Sequence, residues 1–144
     1  MFDGLYTGLM LPRDSRTRAA VLLFSDGLDN ASWLDEPAVR KVARESDVAV
    51  YGVGLDGSVR NQLEAIVEET GGALITADSV TQLKSAFQQL LSQMQSRYVL
   101  GYSPQDVAHT GWHALDVRLT GRAKGRQIRA RRGYFVAPTR EVAR

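Results

Sequence analysis

Blocks of apolar and polar residues along this chain predict its elements one by one. Phe2, Leu5, Leu9 and Met10 have the spacing of one face of a short amphipathic helix, which Pro12 ends. After the polar connector Arg13–Arg18 comes Ala19–Phe24, an unbroken run of six apolar residues. That is a strand's length, and the lack of alternation predicts burial on both faces, as in a parallel sheet. The run passes into Ser25-Asp26-Gly27-Leu28-Asp29-Asn30, which is turn chemistry. Asp26 and Asp29 are therefore expected just beyond the carboxyl end of a buried strand, the edge where open α/β sheets carry their ligand sites.

The alternation of β and α patterns continues. Leu34-Asp35-Glu36-Pro37 reads as a helix start with Pro in the first turn, and Val39, Val42 and Ala43 give that helix an inward face. Val48–Val53 is a second buried strand. Ser58 is the expected N-cap of a third helix, with Leu63, Ile66 and Val67 as its stripe and Thr70-Gly71-Gly72 as its stop. Ala73–Thr76 is a third strand. A longer helix, capped by Asp78 or Ser79, is expected through about Ser96. From there the helices cease. Tyr98–Tyr102, Trp112–Leu119 and Gln127–Val136 read as three strands without crossovers, hence antiparallel. The expected organisation is an α/β unit over 1–96, an antiparallel β extension over 97–137 and a loose tail over 138–144.

Composition adds limits. A chain of 144 residues with 44% hydrophobic and 24% charged positions suits one globular unit with a real core. No stretch approaches the roughly 20 apolar residues of a membrane span. Met1-Phe2-Asp3-Gly4 has neither a basic n-region nor a signal-peptide core. The absence of cysteine removes disulfides, thiolate metal sites and a Cys nucleophile. It leaves the compartment open, and export of a parent protein to the periplasm or beyond is compatible with it. Charge is uneven. Met1–Asp116 holds 9 basic and 15 acidic residues, a net of −6, whereas Val117–Arg144 holds 9 basic and one acidic, a net of +8. Ile128 and Ala130 alternate with Arg129 and Arg131, as a one-sided strand requires, so this basic face is expected to dock on the acidic body or on an acidic partner. A nucleic-acid partner is not expected.

Candidate chemistry is sparse. His109 and His113 stand four apart, but Gly111 and Trp112 between them read as strand and not as a helix that would aim both at one metal. No Ser/His/Asp set falls in a recognisable order, so no catalytic residue is assigned. Gly52-Val53-Gly54-Leu55-Asp56-Gly57 has the Gly-x-Gly-x-x-Gly form after a strand, which makes a nucleotide-binding or hydrolytic α/β domain the alternative reading. A strand end with a Gly-rich turn gives the same pattern.

Several of these strings together resemble the von Willebrand factor type A domain. They are Phe24-Ser25-Asp26-Gly27 after an apolar strand, the Val48–Val53 strand with Gly54, and Leu63 through Gly72 ending in Thr-Gly-Gly. Tyr98–Pro104, Trp112-His113 and Arg129-Ala130-Arg131-Arg132-Gly133-Tyr134 are similar to a bacterial VWFA-related subgroup of acidobacterial type. The resemblance implies a Rossmann-like partial type A fold, parallel strands covered by helices, with a C-terminal antiparallel segment. It implies a metal-ion-dependent adhesion site in which Asp26, with Ser25 beside it, is the remnant ligand of Mg²⁺. The family's Asp-x-Ser-x-Ser loop is missing here, so the likeness is to the carboxyl-terminal portion of the domain. This chain alone then offers too few oxygens for Mg²⁺, and Ala19–Phe24 becomes an apolar edge open to another chain.

The function this implies is a non-enzymatic, adhesion-type protein-interaction module. Its partner-binding residues are expected to be Asp26, Asp29, Trp33 and Leu34, with the two apolar side chains as anchor. A further alternative is a structural fragment that forms homo-oligomers through the Ala19–Phe24 strand.

Overall fold

The computed structural model describes residues 1–11, 18–55, 57–105, 110–120 and 128–137. Pro12 and most of its connector, Asp56, His109, the basic stretch 121–127 and the expected loose tail 138–144 lie outside the described residues. The chain runs α1 (Phe2–Met10), β1 (Ala20–Ser25), α2 (Glu36–Glu45), β2 (Ala49–Leu55), α3 (Ser58–Thr70), β3 (Ala73–Ala77), α4 (Leu83–Gln95), β4 (Gly111–Ala114) and β5 (Gly133–Val136). The first three strands form a parallel sheet in the order β1-β2-β3, and β4 and β5 form a separate antiparallel pair. The protein is therefore α/β, a three-stranded parallel sheet covered by helices with a two-stranded antiparallel sheet beside it. None of the described helices is long and apolar enough to cross a membrane.

β2 separates two cores because successive side chains of a strand point to opposite faces. Val48 and Val50, on the segment entering and opening β2, pack with Phe2, Leu5 and Leu9 of α1, Val39 and Ala43 of α2, and Leu63 and Ile66 of α3. Ala49, Tyr51 and Val53 face the other way, onto Ala86 and Leu90 of α4. β2 is buried throughout except at Leu55. β1 is not, although its sequence is as apolar: Phe24 is 56% exposed, with one flank on the Phe87 ring of α4 at 5.7 Å. This corrects the expectation of a strand buried on both faces. Only β2 has a strand on either side, whereas β1 pairs with β2 alone among the described residues.

The turn between α3 and β3 explains Thr70-Gly71-Gly72. The Thr70 hydroxyl donates to Val67 C=O at 3.1 Å and accepts the Val50 N–H at 3.0 Å, tying α3 to β2. Gly71 closes the helix at φ 69°, the left-handed C-cap that glycine adopts without steric cost. Gly72 lies on the backbone of β2, where a Cβ would stand 1.8 Å from Val50 O.

Elsewhere the expected boundaries shift. Gly57, not Ser58, is the N-cap of α3. The helix expected from Asp78 or Ser79 opens as a 3₁₀ turn, Val80–Gln82, before α4. The expected strand Tyr98–Tyr102 is irregular and exposed. Among the described residues it pairs with no strand, and β propensity is realised only against a neighbour. The antiparallel pair is also shorter than expected, since Leu115 N–H donates to Arg132 C=O at 2.9 Å and the ladder ends there.

That pair is fastened to the α/β unit by the residues of the Arg-Arg-Gly-Tyr string. Arg131 donates to Asp47 at 2.5 Å and to Ser46 C=O at 3.0 Å, and Arg132 pairs with Glu68. Gly133 lies under the Trp112 indole, which leaves no room for a side chain, and Tyr134 stacks on His113. The Arg44 guanidinium covers Trp112 at 4.4 Å. The described part of the basic tail thus docks on the acidic body.

Candidate functional site

The loop from Asp26 to Asp35 leaves the carboxyl end of β1 and carries every residue expected to meet a partner. Its first turn is built by its own side chains. Ser25 Oγ accepts the Gly27 N–H at 3.1 Å, and Asp26 Oδ1 accepts the Leu28 N–H at 3.2 Å. These are the local turns that Ser and Asp favour. Gly27 has φ 87° and sits on the start of α3, where a Cβ would come within 2.7 Å of the Val59 nitrogen. The Ser58 hydroxyl reaches back to Asp26 C=O at 3.4 Å.

The second half of the loop is pinned to α1 by two carboxylates. Asp29 Oδ2 accepts the Phe2 N–H at 2.9 Å and pairs with the Met1 α-amino group at 3.1 Å, while Oδ1 accepts the Ser32 N–H at 3.0 Å. The bond from Phe2 does most to hold the Asp29 carboxyl well below the ordinary range; burial opposes it, and Ser32 and the α-amino group reinforce it. In return, Asp3 of α1 accepts the Trp33 and Leu34 N–H groups, each at 3.0 Å. Ser32 Oγ accepts from the Met1 α-amino group at 2.9 Å. Asp29 thus satisfies orphan donors at the start of α1, and Asp3 satisfies donors of the loop.

These contacts sort the expected site residues. Asp26 is exposed and Ser25 partly so. Trp33 is 97% exposed, although its backbone is held by Asp3. Asp29 and Leu34, expected beside them, are turned inward. The Asp29 carboxylate is buried against α1, and Leu34 packs on the core beneath the loop. Leu28, 67% exposed, was not singled out by its pattern and stands in the same loop as Trp33. Asp3 and Ser32 also escaped the sequence reading. An acidic residue in a first helical turn is unremarkable, and nothing local announces a bond across some 30 positions.

Among the described residues, no group of three or more His, Cys, Asp or Glu side chains is gathered as a metal cluster would need. Asp26 and Ser25 supply at most two of the six oxygens Mg²⁺ prefers, and each already accepts a backbone N–H of its own loop. The donor set does not fit Mg²⁺ unaided. The glycines of the alternative nucleotide motif have structural duties. Gly52 and Gly54 lie inside β2, where the spaces above them are filled by Leu74 and Val59. Gly57 is the N-cap of α3. No family model matches the chain, and no curated protein matches it.

Proposed function

We propose that this chain is a non-enzymatic protein-interaction module, a partial fold of the von Willebrand type A kind, that engages a protein partner through the Asp26–Trp33 face of the loop after β1. One observation carries the reading. A tryptophan 97% exposed stands on a loop whose backbone is fixed by Asp3 and Asp29. Fully exposing an indole gains nothing for folding, and a preordered aromatic anchor loses little entropy on binding. Leu28 widens the apolar contact, and Asp26 supplies a charge at its border. In this reading Mg²⁺ enters only if oxygens from the partner complete the shell that Asp26 and Ser25 begin.

The test uses a displayed library of random peptides selected on the intact chain. Clones bound by the wild type should lose about 30-fold in affinity on Trp33→Ala, the effect of removing about 2 kcal/mol of hot-spot contact. Trp33→Ala should leave the urea midpoint unchanged. Selected clones that bind Trp33→Ala and Asp26→Ala as well as they bind the wild type would remove the loop from the interface. Repeating the titration with Mg²⁺ and then with a chelator reads the metal contribution separately.

A further inference from the structure

A groove of about 500 Å³ lies between the outer face of α2 and the β4–β5 pair. Its α2 wall has three rungs: Glu36, then Arg40 with Lys41, then Arg44 with Glu45. Trp112 of β4 and Phe135 of β5, which is 42% exposed, form the facing wall. The two arginines are held from behind. Glu69 of α3, with its side chain 5% exposed, accepts from Arg40 Nε at 3.1 Å and Nη2 at 2.8 Å and faces Arg44 Nε at 3.7 Å. The Arg44 guanidinium also rests on the Trp112 ring. Among the described residues, Arg40 Nη1 and both Arg44 Nη nitrogens have no acceptor. Lys41 is exposed and makes no ion pair with any described residue. Guanidiniums fixed in this way present spare donors and have little freedom left to lose on binding. The first rung lacks the opposite group: Glu36 Oε1 is buried and accepts no hydrogen bond among the described residues. A buried charged acceptor without a donor is destabilising, and an N–H brought by a ligand removes that cost.

We propose that this groove binds a small zwitterion of the α-amino-acid type with an aromatic side chain. Its carboxylate accepts from the middle rung, Arg40 and Lys41, and from the outward nitrogens of Arg44. Its ammonium donates to Glu36 Oε1. Glu36 and Arg40 are four residues apart, about 6 Å of helix rise, a span that two adjoining charged groups cover when each makes its own hydrogen bond. The aromatic ring packs on the exposed part of Phe135 and on the edge of Trp112, as ligand sites pair an apolar wall with a few placed polar groups. Glu36 and Glu45, at the two ends of the groove, disfavour a dianion such as phosphate. An amine alone leaves the arginine donors unused, and a carboxylate alone leaves Glu36 unpaired.

This site is independent of the loop after β1, and the two tryptophans read them separately. In proton–nitrogen correlation spectra of the intact chain, the Trp112 indole N–H reports on the groove and the Trp33 indole N–H on the loop. L-Phenylalanine should move the Trp112 signal with a dissociation constant of about 1 mM, the range open to so small a ligand, and leave Trp33 in place. Phenethylamine, which lacks the carboxylate, and hydrocinnamate, which lacks the ammonium, should each bind at least about tenfold more weakly. Glu36→Gln should weaken L-phenylalanine about tenfold and leave hydrocinnamate unchanged, whereas Lys41→Ala should weaken L-phenylalanine and leave phenethylamine unchanged. The comparison of the three ligands uses the wild-type chain and stands whether or not a variant folds. A Trp112 signal unmoved at about 20 mM L-phenylalanine, well above the expected constant, would overturn the proposal. So would equal affinity for the three ligands, which would mean that only the ring is read, or binding to a folded Glu36→Gln chain as tight as to the wild type. A shift confined to Trp33 would move the ligand to the loop and overturn it as well.

Discussion

Removing the Asp29 carboxylate tests whether the loop is held as the hydrogen bonds describe. Asp29→Ala leaves the Phe2 and Ser32 N–H groups and the Met1 α-amino group without their acceptor, at a site where the carboxylate is 5% exposed. A bond to a charged acceptor contributes about 1.5 to 3 kcal/mol, and a lost helix cap about 1 kcal/mol. Two such bonds, reduced by the water that enters the vacated space, give an expected loss of about 3 kcal/mol. For a urea slope of about 2 kcal/mol per molar, the midpoint falls by about 1.5 M. Asp29→Asn retains an acceptor but not the charge and should lose about half as much. The pH dependence is the sharper criterion. The folded carboxyl lies below its ordinary value near 3.8. The stabilisation is therefore complete well above that value and is lost as pH falls below it toward the folded value, because only the unfolded chain then takes up the proton. The gap between wild type and Asp29→Asn should be flat from pH 7 to 5 and narrow by about 1.4 kcal/mol per unit below about pH 4. A midpoint unmoved by Asp29→Ala, or a gap that stays constant down to pH 3, would refute the assignment.

Two further substitutions probe the frame that carries the loop. Gly72→Ala places a methyl group 1.8 Å from Val50 O, so β2 and the start of β3 must separate; a loss above about 3 kcal/mol in urea unfolding is expected, and one under about 1 kcal/mol would contradict the close approach. Arg131→Ala should cost about 2 kcal/mol and free the antiparallel pair, read as faster amide exchange at Tyr134 and Val136, with Arg131→Lys recovering little because one ammonium cannot span Asp47 and Ser46 C=O as the guanidinium does. Equal protection in Arg131→Lys and wild type would show that charge alone holds the pair.

The order of elements was legible because it rests on local periodicity. Ala19–Phe24, Val48–Val53 and Ala73–Thr76 are apolar runs of strand length between turn clusters, and each became a strand of the parallel sheet. Asp35 with Pro37 opened α2 as its sequence signals, Asp35 Oδ1 accepting the Ala38 N–H at 3.0 Å, and Gly71 closed α3. Tyr98–Tyr102 was misread because a β-forming sequence states a preference, and whether an edge lies within reach is a property of the rest of the fold. Asp26 stands exposed in the turn that Ser25–Asn30 signals and Trp33 stands exposed beyond it, whereas Asp29 and Leu34 are taken inward by α1 and the core.

The sequence by itself determined the alternation of strands and helices, the turn at Ser25–Gly27, the glycine stop after α3 and the contrast between an acidic body and a basic tail. These follow from side chains within a few positions of one another. The tertiary structure alone decided which apolar run is central and which lies at an edge, and which of two similar loop carboxylates is buried. Both outcomes depend on packing between residues some 30 positions apart. β1 and β2 are nearly equal in apolar content, but β2 is flanked by β1 and β3 and covered by α4, whereas β1 is flanked by β2 alone among the described residues.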